Sequence, residues 1–377
     1  MRILCVTVLF DQETGGGTAE RTLQLVNDLS SRGHQVTLLT TNIGLTASRR
    51  NEVKGPLVGL NCLFRRFYVV EPRLFTVSRL VRQADIIHMM GLWNILNVLV
   101  YLFTRFHGVP YVICPAGELK LFGRSLGLKK LFNFLIGRAI VKNANGKIAI
   151  TEEELPDFGL YGVPPSAVRL LPNGISLTAL ASQPDTDVLK RLDIQKKQYL
   201  LFMGRLNPIK GPDLLLQAFT RIAPRYPHLH LVLAGPDGGM RHTLAEEASR
   251  NDLTQRVHFA GYVSGAHKAT LYRQALFLCI PSRHEAMSIV VLEAGVVSVP
   301  VLLTNRCGFD QVAEQGAGIV VEAEAGSLSE GIDALLQRPG DLVTMGQHLN
   351  RLVASQYSWD RIGKLHEDYF RSIVHTA

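Results

Sequence analysis

Residues 279–300 set two carboxylates, Glu285 and Glu293, around the junction of an apolar run and a segment of helical length. The run 275–280 reads as a buried strand stopped by Pro281 and Ser282, and 289–297 reads as the helix. With a helix starting near Met287, eight helical steps separate the acids by about 12 Å and turn the second about 80° from the first. Two carboxyls flanking one glycosidic bond need separations of about 5–9.5 Å, so that chemistry fits poorly. The spacing suits two acids gripping opposite ends of an extended, hydroxyl-rich ligand. Between them the amides of Met287, Ser288 and Ile289, at a helix N-terminus, face an anion favourably. Taken alone, the pair also fits an ordinary strand–turn–helix with one exposed and one capping Glu. A second pair decides: Gly204-Arg205-Leu206-Asn207-Pro208-Ile209-Lys210-Gly211 precedes a helix opened by Pro212. Two cations, Arg205 and Lys210, beside a helix N-terminus fit a diphosphate, and the loop lacks the GK[ST] ending of a Walker motif.

The elements that must hold these groups alternate strand and helix. Residues 3–10 are a continuous apolar run, the mark of a strand covered on both faces. Gly15, Gly16 and Gly17 follow, then a helix over 19–31 closed by Gly33, then a strand at 35–40. The turn of this βαβ unit lies where such sheets bind ligands, and its glycines let a phosphate or sugar approach the backbone. Glu20 occupies the third glycine position of a dinucleotide fingerprint, and no acid follows the second strand, which argues against NAD. Residues 42–82 read as basic and irregular. The uncharged stretch 86–104 contains Gly91, two Asn and His88, so it reads as strand plus buried helix rather than a membrane span. A strand at 109–114 leads into Pro115-Ala116-Gly117-Glu118. Over 119–142 helical spacing predicts a core stripe of Leu128, Leu131, Phe132, Leu135 and Ala139. It leaves Phe134 and Val141 among Lys130, Arg138 and Lys142, as on a helix lying on anionic lipid or on one with a second packing surface inside the protein. In the second half, strands at 199–203, 229–234, 257–260 and 299–304 each run into a turn, with Gly235 and Tyr262-Val263 at the second and third.

The net charge of +8 is one-sided. Residues 1–172 carry 20 Lys/Arg against 12 Asp/Glu, and 49–147 carry 16 against 4, whereas the remainder balances. Such a field fits an anionic partner for the first half, a membrane surface or phosphorylated lipid, or else a basic protein that merely stays in solution. No RNP1 or zinc-finger pattern accompanies it, so nucleic acid is not expected. Five widely spaced cysteines without CxxC spacing argue for a reducing, cytoplasmic compartment and against a zinc site.

The Glu285-x7-Glu293 segment and the Arg205/Lys210 loop resemble signatures of the family 4 retaining glycosyltransferases. Together with the Asn173-Gly174-Ile175 junction, the resemblance spans essentially the whole chain. It implies the GT-B fold: α/β, two Rossmann-like domains with parallel sheets facing across a central cleft. The expected division is an acceptor domain, 1–173, joined by 358–377 crossing back, a linker, 174–198, and a nucleotide-sugar donor domain, 199–357. By the same resemblance, Arg205, Lys210 and Glu285 form the catalytic set. Arg205 and Lys210 stabilise the leaving diphosphate, Glu285 the sugar and Glu293 the ribose. Gly16, Gly17, Gly235, Tyr262, Val263, Met287, Ser288 and Ile289 complete the donor site. His88 lines the acceptor side by this resemblance, and by its residue context it also reads as a satisfied interior histidine. Where relatives present a His or Arg, this sequence has Ala116, which leaves Glu118 as the substitute. The loop Glu-Ala-Met-Ser lacks the family's usual glycine, which leaves the donor open. The implied reaction moves a hexose from a nucleotide-diphosphate sugar to a saccharide acceptor, lipid-linked, in polysaccharide or lipopolysaccharide biosynthesis. It needs no metal or other cofactor and runs at the inner face of the plasma membrane. The alternatives are a non-catalytic nucleotide-sugar-binding protein and a sugar-nucleotide epimerase of the same fold.

Overall fold

The apolar runs at the centres of the sheets become short strands with nearly every residue buried, because helices cover both faces there. The structure, a computed structural model, describes residues 1–11, 15–121 and 125–376. The chain divides into two units, Met1–Gly174 with Trp359–Ala377, and Ile175–Ser358.

The first unit begins with β1 (Arg2–Val6), α1 (Gly16–Ser31), β2 (Gln35–Thr41), α2 (Ala47–Asn51) and β3 (Leu57–Leu60). A small hairpin, β4 (Cys62–Phe64) and β5 (Val69–Val70), precedes α3 (Leu74–Gln83), β6 (Ile86–Met90), α4 (Ile95–His107) and β7 (Tyr111–Cys114). Then come α5 (Leu126–Phe132), a π-helical turn (Asn133–Gly137), α6 (Arg138–Lys142), β8 (Gly146–Ala149), α7 (Leu155–Phe158) and β9 (Arg169–Leu170). Seven strands pair in the order β3-β2-β1-β6-β7-β8-β9, all parallel. The second unit holds α8 (Asp187–Arg191), β10 (Tyr199–Met203), α9 (Pro212–Ile222), β11 (His230–Ala234), α10 (Arg241–Arg250) and β12 (Val257–Gly261). It continues with α11 (Gly265–Gln274), β13 (Leu278–Ile280), α12 (Ile289–Val296), β14 (Val301–Thr304), α13 (Gln311–Glu314), β15 (Gly318–Val321), α14 (Ala325–Leu336) and α15 (Asp341–Gln356). Its parallel sheet has the order β12-β11-β10-β13-β14-β15. The final helix, α16 (Trp359–Thr376), packs on α1: Arg32 donates to the Asp360 carbonyl at 2.9 Å, and Phe370 and Ile373 are buried.

Three expectations are corrected. Residues 42–82 are not irregular, since α2, β3, the hairpin and α3 lie there. The segment 174–198 is not a plain linker; it carries α8, and from Ile175 onward it belongs to the second unit. The stripe on α5 is turned about a quarter of the helix from its expected direction. Phe132, Ile136 and Ile140 face the core, Leu128, Leu131 and Leu135 are exposed, and Val141 is buried. Phe132 stacks on Phe67 with ring centroids 6.3 Å apart, and Lys129 lies 4.0 Å above the Trp93 ring, which fixes the inward face. The π-helical turn then shifts the phase of all that follows, so a wheel drawn at 100° per residue cannot track it.

Candidate functional site

In the second sheet β10 and β13 are neighbours, and strand order runs outward from them in both directions. A switch of this kind opens a crevice at the carboxyl ends of the two strands. The loops that leave there are 204–211 and 281–288, which hold the paired cations and the first acid. Close backbone approach sets them. Gly211 has φ +68°, and a Cβ on it would lie 2.0 Å from the Pro281 carbonyl oxygen. Gly235, φ +144°, comes as close to the Gly204 carbonyl. Arg283 fastens the two loops: its amide donates to the Ile209 carbonyl at 2.8 Å, and its guanidinium holds Asp213 at 2.8 and 2.5 Å.

Lys210 Nζ lies 2.7 Å from Glu285 Oε2. The Ser282 hydroxyl donates to Glu285 Oε1, and Thr304 Oγ1 donates to the Ser282 carbonyl at 2.5 Å. Ser282 and Thr304 are buried, so the carboxylate is backed by a short relay anchored at the end of β14. The Glu285 amide donates to the Arg306 carbonyl at 2.8 Å. Burial, with the Glu285 charge next in weight, pushes the nearby Cys307 thiol up to about 12. Arg205 leaves β10 on the loop that carries Lys210, and its Cγ lies 2.9 Å from where a Cβ on Gly238 would sit. Among the described residues no group of three His, Cys, Asp or Glu is arranged to hold a metal ion.

The second acid has partners that sequence reasoning missed. Glu293 Oε1 pairs with Lys268 Nζ at 2.6 Å, and Oε2 accepts from the Tyr272 hydroxyl at 2.7 Å. Burial and then the Glu293 charge hold Tyr272 protonated, well above the usual phenol range. Lys268 and Tyr272 are four apart on α11 and share a face; that spacing, in a helix just before the strand, was the available signal. The helix α12 spans Ile289–Val296, so Glu285 stands in the loop before it and Glu293 rides the helix, as the apolar segment 289–297 implies. The Ser288 amide, expected to meet a ligand, donates to the Cys307 carbonyl at 3.1 Å. Its hydroxyl is buried without a partner at the start of α12, and the helix has no side-chain cap. Met287 and Val263 are buried, Ile289 is half-buried, and Tyr262 is exposed after β12.

The remaining candidates lie in the first unit. Gly16 and Gly17 open α1. His88 is a correction: it is fully buried on β6, ring to ring with His366 at 6.2 Å and Phe370 at 5.6 Å. Among the described residues neither ring nitrogen has a partner, and burial, then the neighbouring His366 and Arg21, hold it neutral. It is a core histidine and lines no open surface. Glu118 is half-buried and accepts from the Leu92 amide at 2.6 Å, tying the β7 exit loop to that of β6; burial raises its carboxyl. Ala116 sits in that loop at φ +52°, and the Gly117 amide after it donates to buried Glu154.

Comparison with known proteins gives this arrangement a context. Residues 16–174 match the family model described as glycosyl transferase 4-like domain, and residues 186–352 match glycosyl transferases group 1. The chain is a family 4 glycosyltransferase. This glycosyltransferase is 27% identical over 321 residues to a D-inositol 3-phosphate glycosyltransferase of Kribbella flavida, covering 79% of the chain and 74% of that protein. For several further curated relatives of that description, it spans about half to three fifths of their length. Among solved structures, Anabaena HepE in complex with UDP and glucose superposes with a TM-score of 0.81 at 17% identity, covering 99% of this chain and 100% of that one. Sucrose-phosphate synthase from Thermosynechococcus elongatus gives 0.78 at 20% identity over 100% of both chains. At these identities the likeness concerns the fold, which is GT-B.

Proposed function

We propose that the enzyme is a retaining hexosyltransferase that draws on a nucleotide-diphosphate sugar bound in its second unit. The observation that carries this reading is the Lys210–Glu285 pair at the β10/β13 switch point. Lys210 and Arg205 offset the charge that grows on the leaving diphosphate; one well-placed donor of this kind contributes about 3–4 kcal/mol to transition-state stabilisation. Glu285 accepts hydrogen bonds from sugar hydroxyls, Glu293 from the ribose. With both oxygens engaged by Lys210 and Ser282, Glu285 is badly placed to attack the anomeric carbon. The reaction then proceeds on one face: the C1–phosphate bond breaks with its electron pair on the diphosphate, and the acceptor oxygen bonds to C1 from the same side. Its proton passes to the departing phosphate oxygen. No metal is needed while two cations serve the diphosphate.

The acceptor in this reading is a lipid-linked saccharide of surface polysaccharide assembly, which suits the basic first half of the chain. All five cysteines are free, in keeping with a reducing cytoplasm. The similarity to enzymes named for D-inositol 3-phosphate adds a soluble phosphorylated polyol to the acceptor panel. The test is turnover of UDP-, GDP- and ADP-sugars with each acceptor class, the product anomer being read by NMR. Retained configuration supports the proposal. An inverted product, conversion of the donor to its epimer, or binding without turnover contradicts it.

A further inference from the structure

One layer of the first unit carries an unusual surface. Helices α3, α4 and α5–α6 cover one face of the sheet and share a single core through Val77, Val81, Leu96, Val100, Ile140 and Val141. They are tied side to side. Ser78 Oγ meets His107 Nε2 at 2.8 Å, Asn143 donates to the Tyr101 hydroxyl at 2.9 Å, and the β4–β5 hairpin joins α5 through the Phe67–Phe132 stack. The outer side of this layer should be polar, yet it is studded with exposed large apolar residues. Phe75 is 94% exposed, Phe106 79% and Phe134 79%, with Phe64, Leu102 and Leu135 also exposed. Among the described residues, α1 and α16 on the opposite layer expose no large apolar side chain. The asymmetry is therefore a property of one face.

Its charges point to the occupant. Residues 62–142 contain twelve Lys/Arg and three Asp/Glu. All three acids are already engaged: Asp85 by Arg2 at 2.6 Å, Glu71 by Arg73 at 2.8 Å, Glu118 by the Leu92 amide. The basic residues also interleave with the apolar ones, as in Phe64-Arg65-Arg66, Arg73-Leu74-Phe75, Arg105-Phe106 and Lys129-Lys130-Leu131. The centre of a protein–protein interface is depleted of charge, which this pattern is not. Rings that enter the headgroup–acyl boundary beside cations that stay on phosphates describe an interfacial surface.

We infer that this face, formed by the β4–β5 hairpin, α3, α4 and α5, docks the enzyme flat on an anionic bilayer. The surface deepens the lipid-linked acceptor reading and rests on it for its purpose. Flotation itself uses neither donor nor acceptor, so docking and transfer can fail separately.

The experiment is flotation of the full chain with vesicles of phosphatidylcholine alone or mixed with phosphatidylglycerol. Wild type should float only with the anionic vesicles. Phe134→Ser with Leu135→Ser, and Phe75→Ser with Phe106→Ser, should each lower partitioning about tenfold or more. Lys130→Gln with Arg138→Gln should lower it about thirtyfold. These side chains point to solvent, so thermal midpoints and donor hydrolysis should match wild type in every variant. No flotation, equal flotation with neutral vesicles, or apolar variants that float like wild type would overturn the proposal. So would a concentration-dependent dimer abolished by Phe134→Ser in a protein that does not float, which would make the face a protein interface.

Discussion

Removing the two members of the Lys210–Glu285 pair should have unequal consequences, and the inequality can be worked from their surroundings. At 2.7 Å the gross attraction is about 6 kcal/mol at an effective dielectric constant of about 20. Desolvation of the carboxylate and ordering of the lysine chain offset most of it, leaving a net coupling of about 1–3 kcal/mol. The Glu285 side chain is 9% exposed and that of Lys210 33%. Lys210→Ala therefore strands a buried charge beside the Ser282 hydroxyl, and should cost about 2–3 kcal/mol. Glu285→Ala leaves an ammonium that water can reach, and should cost about 1 kcal/mol. The double variant should be more stable than the sum of the two losses predicts. Urea midpoints for the four proteins measure the coupling, and single-turnover transfer measures catalysis, where Lys210→Ala should lower kcat about 100- to 1000-fold. Strictly additive stability losses, or equal losses from the two single substitutions, would refute the reasoning.

Other consequences follow from the same contacts. Tyr272→Phe and Lys268→Met should raise the donor KM several-fold with little change in kcat, because they loosen Glu293 and not the reacting end; a pure kcat loss would contradict this. Gly211→Ala forces a Cβ into the Pro281 carbonyl at an unfavourable φ and should cost more than about 2 kcal/mol, read as a lower thermal midpoint. His366 is held neutral by burial and by Arg21, with its pKa lowered to about 3. Its contribution is complete above an unfolded pKa of about 6.5 and fades as pH falls towards 3. At about pH 5 the fold should have lost about 2 kcal/mol through this residue alone, and His366→Leu should flatten the acid limb of a midpoint–pH curve; an unchanged limb would count against it.

The sequence disclosed the strands that run as unbroken aliphatic segments, such as β1, β7 and β11, because a parallel strand covered on both faces has no polar alternation to confuse it. It also put Arg205 and Lys210 in the loop after β10 and Glu285 in the loop after β13, since those loops follow such strands. Elements at the edge were harder. The strand β3 has only four residues, and the hairpin after it is stabilised by contacts with α4 and α5 that no local pattern encodes. The face of α5 was misjudged because the deciding contacts, Phe67 on Phe132 and Trp93 under Lys129, come from distant segments. His88 looked like a ligand-side group at the end of a strand. Only the return of α16, bringing His366 and Phe370 over it, shows it as part of the interior. Glu293 was located correctly on its helix, but its ion pair depends on how α11 packs beside α12, which spacing alone could only hint at.

The central claim is that the β10 and β13 junctions together receive a nucleoside diphosphate. Calorimetric titration of wild type, Arg205→Ala and Lys210→Ala with UDP, GDP and ADP addresses it without chemistry. Wild type should bind at least one nucleotide saturably, and each variant about tenfold or more weakly with the fold intact. Equal affinity in all three proteins would contradict it.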